Sequence, residues 1–337
     1  MRRRTPSIHD VAKVAGVSAQ TVSRVLNEHP NVSDRTRSLV TSAMTELGYR
    51  PNHAARSLRG GSRLIGVLSS RTSFFGPSAA LYGVEAAAAD AGYEVVVVNL
   101  ASTSPGAVRA ACERLLSLGV AGVVAVLPLE ADGELLSPLL DAVPTVLLQG
   151  SRAPSPLPLV GVDNEGGARQ ATRHLLDLGH ETVWHVAGPR DWPDAVARED
   201  GWRSALEAAG VEAPPTLHGT WDGASGYEAG RILARMEELT AVFAANDQMA
   251  LGVLLALAES GRDVPGEVSV VGFDDIPEAA FFRPPLTTVR QDLTEVGRRC
   301  LETVLTRITD ADAALPAATV VTADLVVRAS SGPRRDG

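Results

Sequence analysis

From residue 62 onward, short apolar runs alternate with longer Ala- and Leu-rich stretches. This alternation constrains the fold more than any other feature of the 337-residue chain. One set of runs falls at 64–69, 94–99, 122–127, 145–149 and 159–162; a second falls at 182–187, 217–221, 241–245 and 268–273. The helical stretches between them are 83–91, 108–118, 168–178, 195–209, 227–239 and 248–260. Strand, helix, strand at this spacing means parallel sheets covered by helices. Two sets imply two lobes. Ligands of such sheets sit beyond the carboxyl ends of the strands, so the expected site is the cleft between the lobes.

Composition narrows the class. Hydrophobic residues make up 45% and charged residues 21%, an ordinary globular balance. At roughly 150 residues per domain, about two domains are expected. No long apolar run predicts a membrane span. Arg2, Arg3 and Arg4 precede no apolar stretch, so a signal peptide is not expected and the chain is expected in the cytoplasm. Cys112 and Cys300 show no CxxC spacing, which argues against a disulfide framework and a zinc finger and for two buried thiols.

The net charge of −9 hides an asymmetry. Residues 1–62 hold ten basic residues and four acidic ones, and the rest of the chain is strongly acidic. A basic head on an acidic body points to nucleic acid. That head also carries a folding pattern. Ile8, Val11, Ala12 and Ala15 make one apolar helical face, with Ser7 and Asp10 as a capping-box-like start. Gly16 ends that helix, and Ser18 caps a second whose apolar positions are Val22, Val25 and Leu26. A third runs from Ser33, with Leu39, Val40, Ala43, Met44 and Leu47 apolar and Gly48 closing it. The first two, joined by so short a turn, form a helix-turn-helix. On the second helix, Gln20 suits adenine and Arg24 suits guanine, while Ser18, Ala19, Thr21 and Ser23 lie where phosphates are held. After the head, Pro51 starts and Gly60-Gly61 stop a piece under three turns long, too short to be stable alone.

Enzyme motifs are missing. No GxGxxG follows the first strand, and no GxxxxGK[ST], GxSxG or HExxH occurs. His174, His180, His185 and His218 lack metal-ligand spacing, so no metal or cofactor is expected. Just after the strand ends come Ser69-Ser70, Gln149, Arg198, Trp221, Asn246-Asp247 and Asp274-Asp275, with Gln291 in a crossover. These mixed donors and acceptors suit sugar hydroxyls, and Trp221 offers a flat face to a pyranose or a purine. The competing readings are helix caps for Asp274 and Asn246, core for Trp221 and a surface ion pair for Arg198.

Asp10-Val11-Ala12-Lys13-Val14-Ala15-Gly16-Val17-Ser18-Ala19-Gln20-Thr21-Val22-Ser23-Arg24-Val25-Leu26-Asn27 resembles the DNA-binding signature of the lac repressor family. The resemblance continues through Leu47-Gly48-Tyr49-Arg50-Pro51-Asn52, Ala245-Asn246-Asp247-Gln248, Gly272-Phe273-Asp274-Asp275 and Pro284-Pro285-Leu286-Thr287 to about residue 328. It implies a small all-α helix-turn-helix head (1–50), a hinge helix or linker (51–62) and an α/β effector-binding and dimerisation body (63–328). The body is then two Rossmann-like parallel-sheet lobes, periplasmic-binding-protein-like, with crossovers near residues 160 and 290. Residues 329–337 are expected to be a disordered tail.

The DNA-contacting positions so implied add Asn27, Asn52, Ala55 and Leu58, with Leu58 as a wedge in the minor groove. The effector positions are Ser70, Phe74, Pro77, Gln149, Asp194, Arg198, Trp221, Asn246, Asp274 and Gln291. Two depart from the pattern: Gln149 stands where an aspartate is usual and Asp194 where a serine is. Trp192 adds an aromatic near the mouth. The implied function is a repressor that binds a palindromic double-stranded DNA operator as a homodimer and is released by a small sugar. The sequence leaves open a purine corepressor or a phosphocarrier protein as effector, a stand-alone sugar-binding protein and a sugar-active enzyme.

Overall fold

The computed structural model describes residues 8–26, 32–47, 62–70, 74–127, 135–140, 142–149 and 155–335. Asn27, Asn52, Ala55, Leu58 and the rest of the 51–61 segment lie outside the described residues. The chain divides into two compact units, 1–62 and 63–337.

The first unit contains α1 (Ile8–Ala15), α2 (Ala19–Leu26) and α3 (Asp34–Leu47). Gly16 makes the turn at φ +68°, a conformation costly for residues with a Cβ. Ser18 Oγ accepts from Thr21 N at 3.1 Å, and Ser33 Oγ accepts from Thr36 N at 3.3 Å, so each hydroxyl caps the helix after it. Val11, Val22 and Val40 are fully buried at the centre, with Ala12, Ala15, Val25 and Ala43 around them. Leu39 departs from the sequence reading: it stays 48% exposed because Val40 and Ala43 define the buried face.

The second unit is the α/β body. Its first lobe is a six-stranded parallel sheet in the order β11-β5-β4-β3-β1-β2. The strands are β1 (Leu64–Ser70), β2 (Glu94–Leu100), β3 (Gly122–Val126), β4 (Thr145–Leu148), β5 (Leu159–Val162) and β11 (Ala318–Val321). Val124 faces one cluster and Val123 the other, so β3 is buried on both faces, which is why it reads as an unbroken apolar run. Helices α4 (Phe75–Asp90) and α5 (Pro105–Leu118), with the short α6 (Ser137–Leu140), lie among these strands in the chain.

The second lobe is a four-stranded parallel sheet, β7-β6-β8-β9. It uses β6 (Trp184–Ala187), β7 (Leu217–His218), β8 (Ala241–Ala244) and β9 (Ser269–Val271). Its helices are α7 (Asn164–Asp177), α8 (Pro193–Ala208), α9 (Gly223–Leu233) and α10 (Asp247–Glu259). Phe243 packs with Trp202 on one face, while Val242 packs with Val253 on the other. An antiparallel ribbon joins the lobes: β10 (Thr288–Gln291) with β12 (Ala323–Val326). Both predicted crossover regions, near 160 and 290, are strands.

A long helix and the C-terminal tail depart furthest from the sequence reading, and the strand read at 217–221 is only Leu217–His218. Helix α11 (Leu293–Thr309) was not anticipated. It buries Val296, Cys300, Leu301 and Val304 and lies so close to α4 that a Cβ at Gly297 would meet Ala80 O at 2.4 Å. The expected disordered tail is the second difference, since residues 329–335 are seated on the second lobe. Ser330 is fully buried. Its carbonyl accepts from Val270 N at 2.7 Å, and its hydroxyl donates to Val270 O and accepts from Thr287 N. The tail thereby covers the open edge of β9. His180 Nε2 meets Gly332 O at 3.2 Å, and Arg334 pairs with Glu181.

Candidate functional site

Helix α2 turns Val22 and Val25 inward and leaves Gln20 and Arg24 exposed, with Ala19, Thr21 and Ser23 half-buried. Exposed Ser18 stands at its start, its hydroxyl 2.9 Å from that of Thr21. All six predicted residues of this helix and its cap are thus grouped at one element. Arg24 is a fixed cation reaching off a short, well-capped helix, the arrangement that reads a base edge or binds a phosphate.

The body holds a cavity of about 370 Å³ between its lobes. All ten predicted effector positions line it. Ser70 closes β1, Gln149 follows β4, and Phe74 and Pro77 sit at the start of α4. Asp194 and Arg198 lie in the first turns of α8, and Trp221 precedes α9. Asn246 follows β8, Asp274 follows β9 and Gln291 ends β10. Strand ends therefore supply most of the site, as parallel sheets require.

Arg198 is the centre of the polar network. It is buried, its Nη1 lies 3.3 Å from Asp274 Oδ1 and donates to Ala245 O, and its Nε donates to Asn164 Oδ1 at 2.8 Å. Asn164 in turn donates to Asp194 Oδ1 at 3.0 Å. The guanidinium lies over the Phe273 ring, 3.9 Å from its centroid. Gln291 Nε2 also donates to Asp274 Oδ1. Burial nevertheless pushes the Asp274 carboxyl up to about 6, against the opposing pull of Arg198 and Gln291. The ion pair is therefore buried, and Asp274 caps no helix. Asn246 does cap one, since its Oδ1 accepts from Met249 N at 2.9 Å while its Nδ2 donates to Trp221 O.

Backbone strain collects here. Trp221, Asp274 and Asp275 are the non-glycine residues with positive φ among the described residues, at 72°, 114° and 53°. The Asp274 turn is braced from both sides. Asp275 pairs with Arg290 and Arg328, each at 2.6 Å, and Ile276 N donates to Asp247 Oδ2 at 2.9 Å. Burial and the facing Asp274 hold the Asp247 carboxyl well above the usual carboxylate range.

Several cavity atoms await partners. The hydroxyl of Ser70, both amide atoms of Gln149 and the indole N–H of Trp221 are buried with no hydrogen-bond partner among the described residues. Buried polar groups are costly unless satisfied, so these residues bring unmet donors and acceptors to the cavity lining. The sequence reading missed Asn164, which acts behind the lining, and named Asp247 only among the residues after the strand ends, not among the effector positions. The signal for Asn164 was its position two residues after β5. Among the described residues no group of three His, Cys, Asp or Glu gathers for a metal, and no helix is long and apolar enough to cross a membrane. His185 is buried between Trp202 and Phe243, and burial pulls its pKa down to about 4.

Known proteins share this architecture. Residues 7–52 match the family described as bacterial regulatory proteins, lacI family, and residues 172–331 match the periplasmic binding protein-like domain. The chain is 36% identical over 304 residues to the lactose operon repressor of Escherichia coli strain K12, covering 89% of this chain and 84% of that protein. A crystal structure of the lac repressor dimer bound to operator and the anti-inducer ONPF superposes with a TM-score of 0.87, at 33% identity, over 98% of this chain and all of that one. The complex of the transcriptional regulator CelR with cellobiose gives 0.72, at 34% identity, over 97% and 100%. With head and body each matched, the chain belongs to the lacI family of bacterial regulatory proteins.

Proposed function

We propose that this protein is a cytoplasmic transcriptional repressor that binds a palindromic DNA operator as a homodimer and is released by a small saccharide in the cavity. It has no catalytic role in this reading. The observation that carries it is the set of unpartnered buried groups of Ser70, Gln149 and Trp221, residues that line the same cavity as the hydrogen-bonded Arg198, Asp274 and Gln291. A saccharide supplies hydroxyls that both donate and accept, which is what this lining demands. Gln20 and Arg24 on α2 supply the base-reading side chains, with Asn27, Asn52, Ala55 and Leu58 as further DNA contacts. The relatives described above as bound to operator and to cellobiose support both halves.

Ligand and operator then oppose each other by the same factor in either direction. The test is selection of duplexes from a random library, followed by anisotropy titration with a panel of sugars and purines. Pseudo-palindromic sites released by one sugar class support the reading. Binding without sequence preference overturns its DNA half, and release by purines alone overturns its saccharide half.

A further inference from the structure

The sequence offered Trp221 as the flat face for a sugar ring, yet its own lobe occupies most of that ring. Trp221 is only 7% exposed. A Cβ at Gly188 would lie 2.4 Å from it, and the Arg198 guanidinium stands 5.5 Å from its centroid. Trp192 is placed differently. It is half-buried at the residue before α8 and lines the cavity. It stands edge-to-face with Phe74 at 5.8 Å and with Trp221 at 5.6 Å. Phe74 belongs to the six-stranded lobe and Trp221 to the four-stranded lobe, so Trp192 is the middle of an aromatic row that crosses the cleft.

Hydrogen-bonding groups lie on both sides of this row. The four-stranded lobe offers Arg198 and Asp274, and the six-stranded lobe offers the unpartnered Ser70 hydroxyl and Gln149 amide. A single hexose fills roughly half of a site at the small end of the usual ligand-pocket range, and about 370 Å³ leaves room for a second ring. We propose that the cavity takes a two-ring saccharide and that Trp192 sets this specificity. The first ring's hydroxyls meet Arg198 and Asp274. The second ring lays its C–H face on Trp192 and turns hydroxyls to Ser70 and Gln149. The Gln149 amide both donates and accepts and carries no charge, so it meets a neutral second ring without discriminating by ionisation. This rests on the saccharide reading above.

The test is calorimetric titration of the full-length protein with cellobiose, lactose, maltose and trehalose, and with glucose and galactose. The wild type is expected to bind one disaccharide at least tenfold tighter than its constituent hexoses. Trp192→Leu keeps apolar volume without an aromatic face; it is expected to weaken that disaccharide about tenfold and the hexoses by a clearly smaller factor. Trp192→Phe is expected to retain most of the preference. Hexoses that bind as tightly as disaccharides overturn the proposal, and so does equal loss of both in Trp192→Leu. Disaccharide binding abolished by Arg198→Ala but untouched in Trp192→Leu overturns it while leaving the saccharide reading intact. No saccharide binding of any kind overturns both.

Discussion

Arg198 and Asp274 share one buried pocket, and the cavity inherits the pH dependence of the Asp274 carboxyl. Asp274 rises from an ordinary 3.8 to about 6 because burial outweighs its guanidinium partner. The folded chain therefore holds a proton that the unfolded chain releases, so this residue's contribution to unliganded stability falls as pH rises from 3.8 through about 6. Saccharide affinity runs the other way, because hydroxyl donors require the carboxylate. Titrations across pH 5 to 8 are expected to show affinity falling as pH drops through about 6, with Asp274→Asn weak and flat throughout. Arg198→Ala leaves a buried carboxyl without its cation and is expected to cost about 3 kcal/mol in urea unfolding, besides abolishing effector binding. Arg198 was legible in the sequence as a polar residue near a strand end. Its buried partnership was not, because Asp274 lies far along the chain and meets it only through the sheet.

Elements carry the next level. Strands β1, β3 and β8 were readable because parallel strands buried on both faces leave continuous apolar runs. Helix α11 escaped because Arg298 and Arg299 interrupt its apolar positions, which show only on a helical projection. Its closeness to α4 yields a prediction. Gly297→Leu drives a side chain into Ala80 and the neighbouring backbone, and is expected to lower the unfolding free energy measured in urea by about 1–3 kcal/mol or more. The tail was illegible for a different reason. Ser330, Ser331 and Gly332 read as solvent-loving, yet they are held by hydrogen bonds to an unpaired strand edge, a signal that composition does not contain. Burial lowers the pKa values of His174 and His180, whose Nε2 atoms meet Ser331 Oγ at 2.9 Å and Gly332 O at 3.2 Å. Neutral histidines are favoured in the fold, so their contribution is present above the ordinary 6.5 and is lost as pH falls below it. Removal of residues 329–337 is expected to lower the melting temperature at neutral pH, and that difference is expected to shrink on acidification, as read by calorimetric scans.

At the scale of the whole molecule, charge is partitioned: a basic head for a polyanion and an acidic body. Operator affinity is expected to fall steeply with salt, each phosphate contact adding about −0.9 to the log–log slope. Arg24→Ala is expected to relax preference at one base position, with a loss of about 1–3 kcal/mol in discrimination, measured by anisotropy on matched and mismatched duplexes. Saccharide affinity, in contrast, is expected to be nearly indifferent to salt, because its contacts are neutral hydrogen bonds and one buried ion pair.

The seated tail has a practical corollary. Because residues 329–335 are fastened along β9, any protein fused after them departs from a surveyed point on the four-stranded lobe rather than from a swinging tether. A fluorophore placed there and a second on the exposed face of α5 form a ruler between the lobes, and its length can report cleft closure in real time without altering a single atom of the cavity.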